Sequence, residues 1–285
     1  MERTSIFRQA ALWLALTRPL NLSLALLSVI VVSWLVGLND LFLIWSSSFS
    51  VLMITAAGNM LNDVKDIETD RINRPGRPLV SNRLPLGLVS MVWKLMMSAG
   101  LVVSAVFLPA EATGLALLNA FLLIWYSSGL KGTPLIGNLV VSWLLASVFL
   151  FTGLVAGAWT ETLYPALVVF CFSLPRELAK DACDEPGDRL AGFGTFPVRM
   201  GLPLTRIILF VLVLVAAFSG LVPVWSGAWG TGFLYLYLMV VVPVMIFILI
   251  LVGRASLPSH FRLPASLLKV VIVPALAALI AGKLW

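Results

Sequence analysis

Apolar residues run through this chain almost end to end, in stretches close to the roughly 20 residues that a membrane-spanning helix needs. Nine stretches can be marked, at residues 11–37, 41–64, 86–108, 112–130, 135–157, 162–181, 204–222, 231–252 and 264–283. The short gaps between them collect Pro, Gly and charged residues, which belong to turns rather than helix interiors. The pattern predicts an all-α integral membrane bundle of about nine transmembrane helices, forming one domain over residues 1–285. Arg3 and Arg8 ahead of an apolar stretch have the look of a signal peptide. Arg18-Pro19 interrupts that stretch, however, and a much longer apolar run follows without a small-residue cleavage site, so a retained first helix is expected.

Charge gives the bundle a direction. With the N-terminus placed in the cytoplasm, the gaps on that side receive all 19 Lys and Arg except Lys283, while the outer gaps hold Asp40, Glu111 and Glu161. Positive charge of this asymmetry marks the cytoplasmic side, so the expected location is a cell membrane with the N-terminus inside. Composition agrees: with 60% apolar and only 11% charged residues, the chain cannot build a water-facing surface. Its net charge of +6 sits in short gaps beside apolar runs. Membrane lipids are the partner this implies, and nucleic acid is not. Cys171 and Cys183 have neither disulfide-framework nor metal-ligand spacing.

Two cytoplasmic gaps, after the second and sixth helices, break the economy of short loops. Residues 59–85 and 175–203 together hold Asp63, Asp66, Glu68, Asp70, Glu177, Asp181, Asp184, Glu185 and Asp188, nine of the 13 acids in the chain. Asn62, Asp66 and Asp70 are spaced i, i+4, i+8, so a continuing helix would stack them on one face. Asp181, Asp184 and Asp188 are spaced i, i+3, i+7, with Pro186 and Gly187 expected to end that helix early. Carboxylates on one face repel, and a cation between them removes the penalty. Oxygen ligands without His or Cys point to Mg²⁺, which takes one or two carboxylates and leaves the rest of its shell to water and substrate phosphate. Six aspartates (Asp63, Asp66, Asp70, Asp181, Asp184 and Asp188) thus fit metal ions bridging a diphosphate. Arg71, Arg74, Arg77, Lys131, Arg176 and Lys180 supply cations for such a ligand. Each gap runs from in-phase acids into a basic Gly/Pro segment, which suggests a pseudo-repeated unit with the site between its halves.

These residues resemble the UbiA superfamily of intramembrane prenyltransferases. The first motif, NDxxDxxxD, reads Asn62 to Asp70, with an RPxRP-like segment at Arg74, Pro75, Arg77 and Pro78. The second, DxxDxxxD, reads Asp181, Asp184 and Asp188, inside a segment that begins Arg176-Glu177 and includes Lys180. Arg18-Pro19 with Asn21, and Tyr126 to Lys131, also match. Asn82, where many relatives have Gly, departs from the pattern.

The resemblance implies a bundle around a lipid-open cavity, capped by the two motifs, in which Mg²⁺ holds the diphosphate of a polyprenyl donor. It implies Asp66, Asp70, Asp181 and Asp184 as principal ligands, with Asp63 and Asp188 beside them. Asn62 would orient the diphosphate; Arg18, Arg77, Lys131 and Lys180 would neutralise it; Tyr126 would lie near the allylic carbon. Departing diphosphate gathers negative charge and the prenyl carbon positive charge, so metals and cations suit the first and aromatic faces such as Tyr126 or Trp125 the second. The stretch from Leu130 to Gly153 is most similar to the branch that prenylates geranylgeranylglyceryl phosphate for ether lipids. A quinone precursor or chlorophyllide is the alternative lipid-soluble acceptor. A transporter is the rival outside enzymes, but its acids would line a path instead of clustering at one side.

Overall fold

The computed structural model describes residues 2–81, 83–225, 227 and 229–284; Asn82 lies outside the described residues. Its helices are α1 (Glu2–Thr17), α2 (Pro19–Leu35), α3 (Leu41–Lys65), α4 (Ile67–Asn73), α5 (Leu86–Phe107), α6 (Ala110–Ser128) and α7 (Ile136–Val155). They continue as α8 (Leu163–Leu190), α9 (Phe196–Ser219), α10 (Val222–Trp225), α11 (Thr231–Leu236), α12 (Val242–Arg254), α13 (Arg262–Val270) and α14 (Ile272–Leu284). Among the described residues, seven helical segments are long and apolar enough to cross a membrane, or eight if the bent pair α1–α2 is one span. The chain is therefore an all-α, multi-span membrane bundle.

Three apolar clusters lie among the described residues: a small one around Leu16, Met60 and Val89, and two larger cores. One lies among α2, α3, α5, α6 and α7, around Val29, Ile54, Ala57, Ala112 and Phe151. The other joins α7–α9 to α11–α14 around Phe149, Phe172, Leu209, Tyr237 and Leu268. In lipid the cores gain little from hydrophobicity, so close packing of small residues matters more. α3 shows this with buried Ser46, Ser47, Ser48 and Ser50, and with Gly100 of α5 set against its backbone. α2 packs on both α3 and α7, and α14 packs on α2, which closes a ring of helices around an internal cavity.

Four breaks in the helices correct the sequence reading. The expected single helix over 11–37 is split: Arg18 takes a left-handed conformation (φ 56°), and α1 and α2 meet at 57°. Proline disfavours helical geometry in the residue before it, which is why the bend falls there. The first motif does not continue one helix, because α3 ends at Lys65 and Asp66 has φ −92° and ψ 6° before α4 begins. The third break is in the span at 231–252, where α11 and α12 are joined by a π-helical turn over Tyr237–Val241. The fourth, in the last span, separates α13 from α14.

α8 departs in the opposite sense. It runs through both Pro175 and Pro186 to Leu190, so the second motif is helical throughout. Gly187 is a packing residue there and not a terminator: a Cβ on it would collide with the Asn73 side chain of α4. Asn73 in turn donates to the Asp184 carbonyl at 3.2 Å. The substitution Gly187→Ala should push α4 off α8 and lower stability by about 1–3 kcal/mol. Thermal unfolding in detergent would show it as a lower Tm, with membrane insertion unchanged.

Candidate active site

Ends and links of several helices bring the two motifs together. α3 delivers Asn62 and Asp63, the bend delivers Asp66, α4 delivers Asp70 and Arg74, and α8 delivers Glu177, Lys180, Asp181, Asp184 and Asp188. Arg74 joins the motifs directly, 2.7 Å from Asp184 and 3.7 Å from Asp70. Arg77 bridges Asp63 at 2.8 Å and Asp70 at 2.5 Å. Arg18 reaches Asp63 at 2.6 Å, and Lys131, on the turn between α6 and α7, reaches Asp66 at 2.5 Å.

Four of the six carboxylates are almost wholly covered, Asp63 and Asp66 at 5% exposed and Asp70 and Asp188 at 3%, while Asp181 and Asp184 are half-buried. Burial pushes the Asp70 carboxyl above its ordinary range, and neighbouring Asp66 adds to that, while Arg77, Arg74 and Lys131 work against it. Desolvated carboxylates of this kind are stable as anions only beside cations. The arrangement is therefore a mesh of alternating charge. Pair strength depends on that mesh more than on any single contact.

Neutral partners complete it. Asn138 donates to Asp181 at 2.7 Å, Thr195 donates to Asp188 at 3.2 Å, and Ser127 donates to Asn62 at 2.6 Å. Glu177 is buried between Arg176 and Lys180, and lies 3.1 Å from the latter. Among the described residues, only Arg18 and Leu135 have positive φ outside glycine, and both flank the site. Such backbone costs roughly 1–3 kcal/mol per residue and persists where the surroundings hold it.

A cavity of about 490 Å³ opens from this cluster into the bundle. Its charged end carries Arg18, Asn21, Asn62, Arg74, Arg77, Arg176 and Lys180. The rest is mainly apolar, with Leu24, Ile54, Leu123, Val148, Phe149 and Phe151 on its walls. Tyr126 is buried and lines the cavity as well.

Most of the residues picked from sequence thus meet at one place. Two do not. Arg71 pairs with Glu68 on the surface, and both are largely exposed. Trp125 faces outward, 51% exposed, against Phe121. A helix that puts Tyr126 inward turns its sequence neighbour away by about 100°. Sequence reasoning gave no role to Asn138, Asn59, Asn73, Thr195 or Lys269. Asn138 follows Ile136-Gly137 at the start of α7, and Lys269 is a lone cation in an apolar stretch, which is itself a signal.

The donor set suits Mg²⁺. It offers carboxylate oxygens and neighbouring amide oxygen, and no sulfur or imidazole. Among the described residues no three acidic, His or Cys groups converge as a ready cage. Mg²⁺ does not need one, since it takes one or two carboxylates and fills its shell with phosphate oxygens and water. The residues fit an ion completed by its substrate.

An all-α membrane bundle with paired aspartate sets at the mouth of an apolar cavity has the construction of an intramembrane prenyltransferase. The UbiA prenyltransferase family matches residues 10–263, and the chain belongs to it. It is a prenyltransferase. The digeranylgeranylglyceryl phosphate synthase of Methanoregula boonei is 40% identical over 220 residues, covering 75% of this chain and 78% of that protein. A solved digeranylgeranylglyceryl phosphate synthase structure superposes with a TM-score of 0.77 at 27% identity, over 96% of this chain and 98% of that one. A UbiA homolog from Archaeoglobus fulgidus, solved bound to GPP and Mg²⁺, shares the fold with a TM-score of 0.61 at 14% identity, over 94% and 99% of the two chains.

Removing Arg77 would leave Asp63 and Asp70 facing each other without their shared cation. Arg77→Ala should therefore destabilise the protein by about 1–3 kcal/mol, since Arg18 still reaches Asp63 and Arg74 still stands near Asp70. Arg77→Lys should recover part of that loss, because it restores the charge without the fork that spans both carboxylates. Detergent unfolding curves of the two variants beside the parent would check the order.

Proposed function

We propose that this chain transfers a geranylgeranyl group from its diphosphate to geranylgeranylglyceryl phosphate, in a Mg²⁺-dependent step of ether-lipid synthesis. The observation that carries the reading is the cavity, lined at its polar end by Glu177 and by cations that hold the aspartates, and apolar in its body. Its form suits a ligand with a diphosphate head and a hydrocarbon tail. Similarity to digeranylgeranylglyceryl phosphate synthases supports the choice of acceptor.

On this reading Asp66, Asp70, Asp181 and Asp184 hold the metal, with Asp63 and Asp188 alongside. When bound, Mg²⁺ would neutralise charge on the leaving diphosphate. Arg77, Arg74, Lys131 and Lys180 hold the diphosphate from the protein side, and Asn62, fixed by Ser127, orients it. The allylic C–O bond breaks and its electron pair leaves with the diphosphate. The Tyr126 ring faces the carbon that becomes positive. The free hydroxyl of the acceptor then forms the ether bond, and its proton passes to the departing diphosphate. Apolar walls keep water from taking the acceptor's place.

The membrane arrangement follows. We count α8 as a ninth span beside the eight, place the N-terminus in the cytoplasm, and so put the motifs on the second and sixth spans facing it. The basic residues of Arg74, Arg77, Lys131 and Arg176 then lie on the side that positive charge prefers.

Purified protein offered labelled geranylgeranyl diphosphate with glyceryl-phosphate, chlorophyllide and quinone-precursor acceptors should yield only the ether lipid. Asp66→Ala and Asp181→Ala should each lose the Mg²⁺-dependent transfer while inserting normally. Full activity in either variant, or in excess chelator, would overturn the mechanism. Product on an aromatic acceptor alone would reassign the substrate.

A further inference from the structure

The cations that line the cavity are not all held in the same way. Arg18, Arg74, Arg77, Arg176 and Lys180 each have a carboxylate partner. Lys269 of α13 lines the same cavity and has none among the described residues. Its Nζ donates instead to Asn21 Oδ1 at 2.7 Å. Asn21 is set to offer oxygen, because its own amide nitrogen faces Asn59 Oδ1 at 3.5 Å. Asn59 is fixed in turn by donating to the Thr17 carbonyl at 2.8 Å. A chain of amides thus presents the ammonium group at the cavity wall.

That placement is unfavourable without a ligand. Lys269 is half-buried; Arg176 and Arg18 repel it, and the one acid that attracts it, Glu177, is already paired with Arg176 and Lys180. A desolvated cation beside like charges is stabilised when an anion arrives. The diphosphate is not the natural candidate. The aspartates that gather the metal are bound by Arg77, Lys131, Arg74 and Asn138, and none of them touches Lys269. Lys269 instead stands on α13, which packs on α8, and reaches across to Asn21 of α2.

We infer that Lys269, held by Asn21 and seconded by Arg176, docks the phosphate monoester of the acceptor lipid. This rests on the function proposed above. The cavity then has two anion positions, one for the donor diphosphate among the aspartates and one for the acceptor head. A phosphate-bearing acceptor is selected over a neutral lipid because the latter leaves Lys269 without an opposite charge.

The test varies donor and acceptor separately in detergent-purified wild type, Lys269→Met and Lys269→Arg. Acceptors are geranylgeranylglyceryl phosphate and the same lipid without its phosphate. A charge-assisted hydrogen bond lost from one substrate should raise the acceptor KM about tenfold or more in Lys269→Met. The donor KM should stay put, the preference for the phosphorylated lipid should shrink by the same factor, and Lys269→Arg should recover part of it. Inorganic phosphate should compete with the acceptor in wild type only far above the lipid's own concentration. Equal competition would make free phosphate the occupant and overturn the inference. So would an unchanged acceptor KM in Lys269→Met, a rise in donor KM, or equal use of both lipids by wild type. Should Lys269→Met not fold, Asn21→Asp serves: its carboxylate would occupy Lys269 and raise the acceptor KM, and no rise would count against the inference. Wild type that makes no product with a glyceryl phosphate would overturn the proposed function instead.

Discussion

Carboxylates taken out of water must keep an opposite charge beside them or lose their own, and this bundle buries a group of them at the mouth of an apolar cavity. The rest of the site follows from how that demand is met. Asp63, Asp66 and Asp70 come from neighbouring turns of one segment, but their counter-charges come from Arg18, Arg77 and Lys131, which lie far apart in the chain. Satisfying the aspartates therefore pins the start of α2, the stretch after α4 and the α6–α7 turn to one another. Arg74 to Asp184 adds α8 to the same assembly. Charge pairing fixes the geometry of this end of the bundle in a way that lipid-facing apolar packing could not, since one apolar contact in lipid is much like another.

The backbone bends where the pairing requires it. Asp66 leaves helical geometry between α3 and α4, and α4 can then lie across α8 with Asn73 against the bare Gly187. Arg18 adopts a left-handed conformation ahead of Pro19, which turns its guanidinium toward Asp63 and puts Asn21 where Lys269 can reach it. Strain at Arg18 is offset by contacts that exist only because of the strain. The apolar cores stand behind these breaks and hold the helices that carry them.

The all-α multi-span architecture and the clustering of acids were readable from the sequence because each rests on a local signal: a run of apolar residues, or acids at fixed spacing. Partners were not readable. That Asp181 is held by Asn138, or Asp63 by Arg18, depends on helices far apart in the sequence, and a spacing rule cannot see across the bundle. The errors have the same origin. Pro186-Gly187 is a fair stop signal by itself, but packing of α4 on α8 turns Gly187 into a contact point and the helix runs on. Trp125 and Tyr126 look alike as aromatics, and only the phase of α6 separates the one on the outer surface from the one in the cavity.

The pairing also bears on how substrate can enter. Counting formal charges, the seven carboxylates at Asp63, Asp66, Asp70, Glu177, Asp181, Asp184 and Asp188 stand against the six paired cations Arg18, Arg74, Arg77, Lys131, Arg176 and Lys180, with Lys269 apart from the mesh. The resting site is thus close to neutral, as a low-dielectric surround favours. A bare diphosphate entering it would leave a strongly negative mouth, whereas a diphosphate arriving with divalent cations would not. The same cations that hold the aspartates can then exchange partners. On the proposed reading, an arginine or lysine whose carboxylate held a metal would be free to turn to phosphate, and charge would stay balanced. On the proposed reading, metal dependence is written into the charge count of the protein. It also explains why the site keeps so many Asp–Arg contacts: they hold both partners in place and neutral until the donor exchanges them.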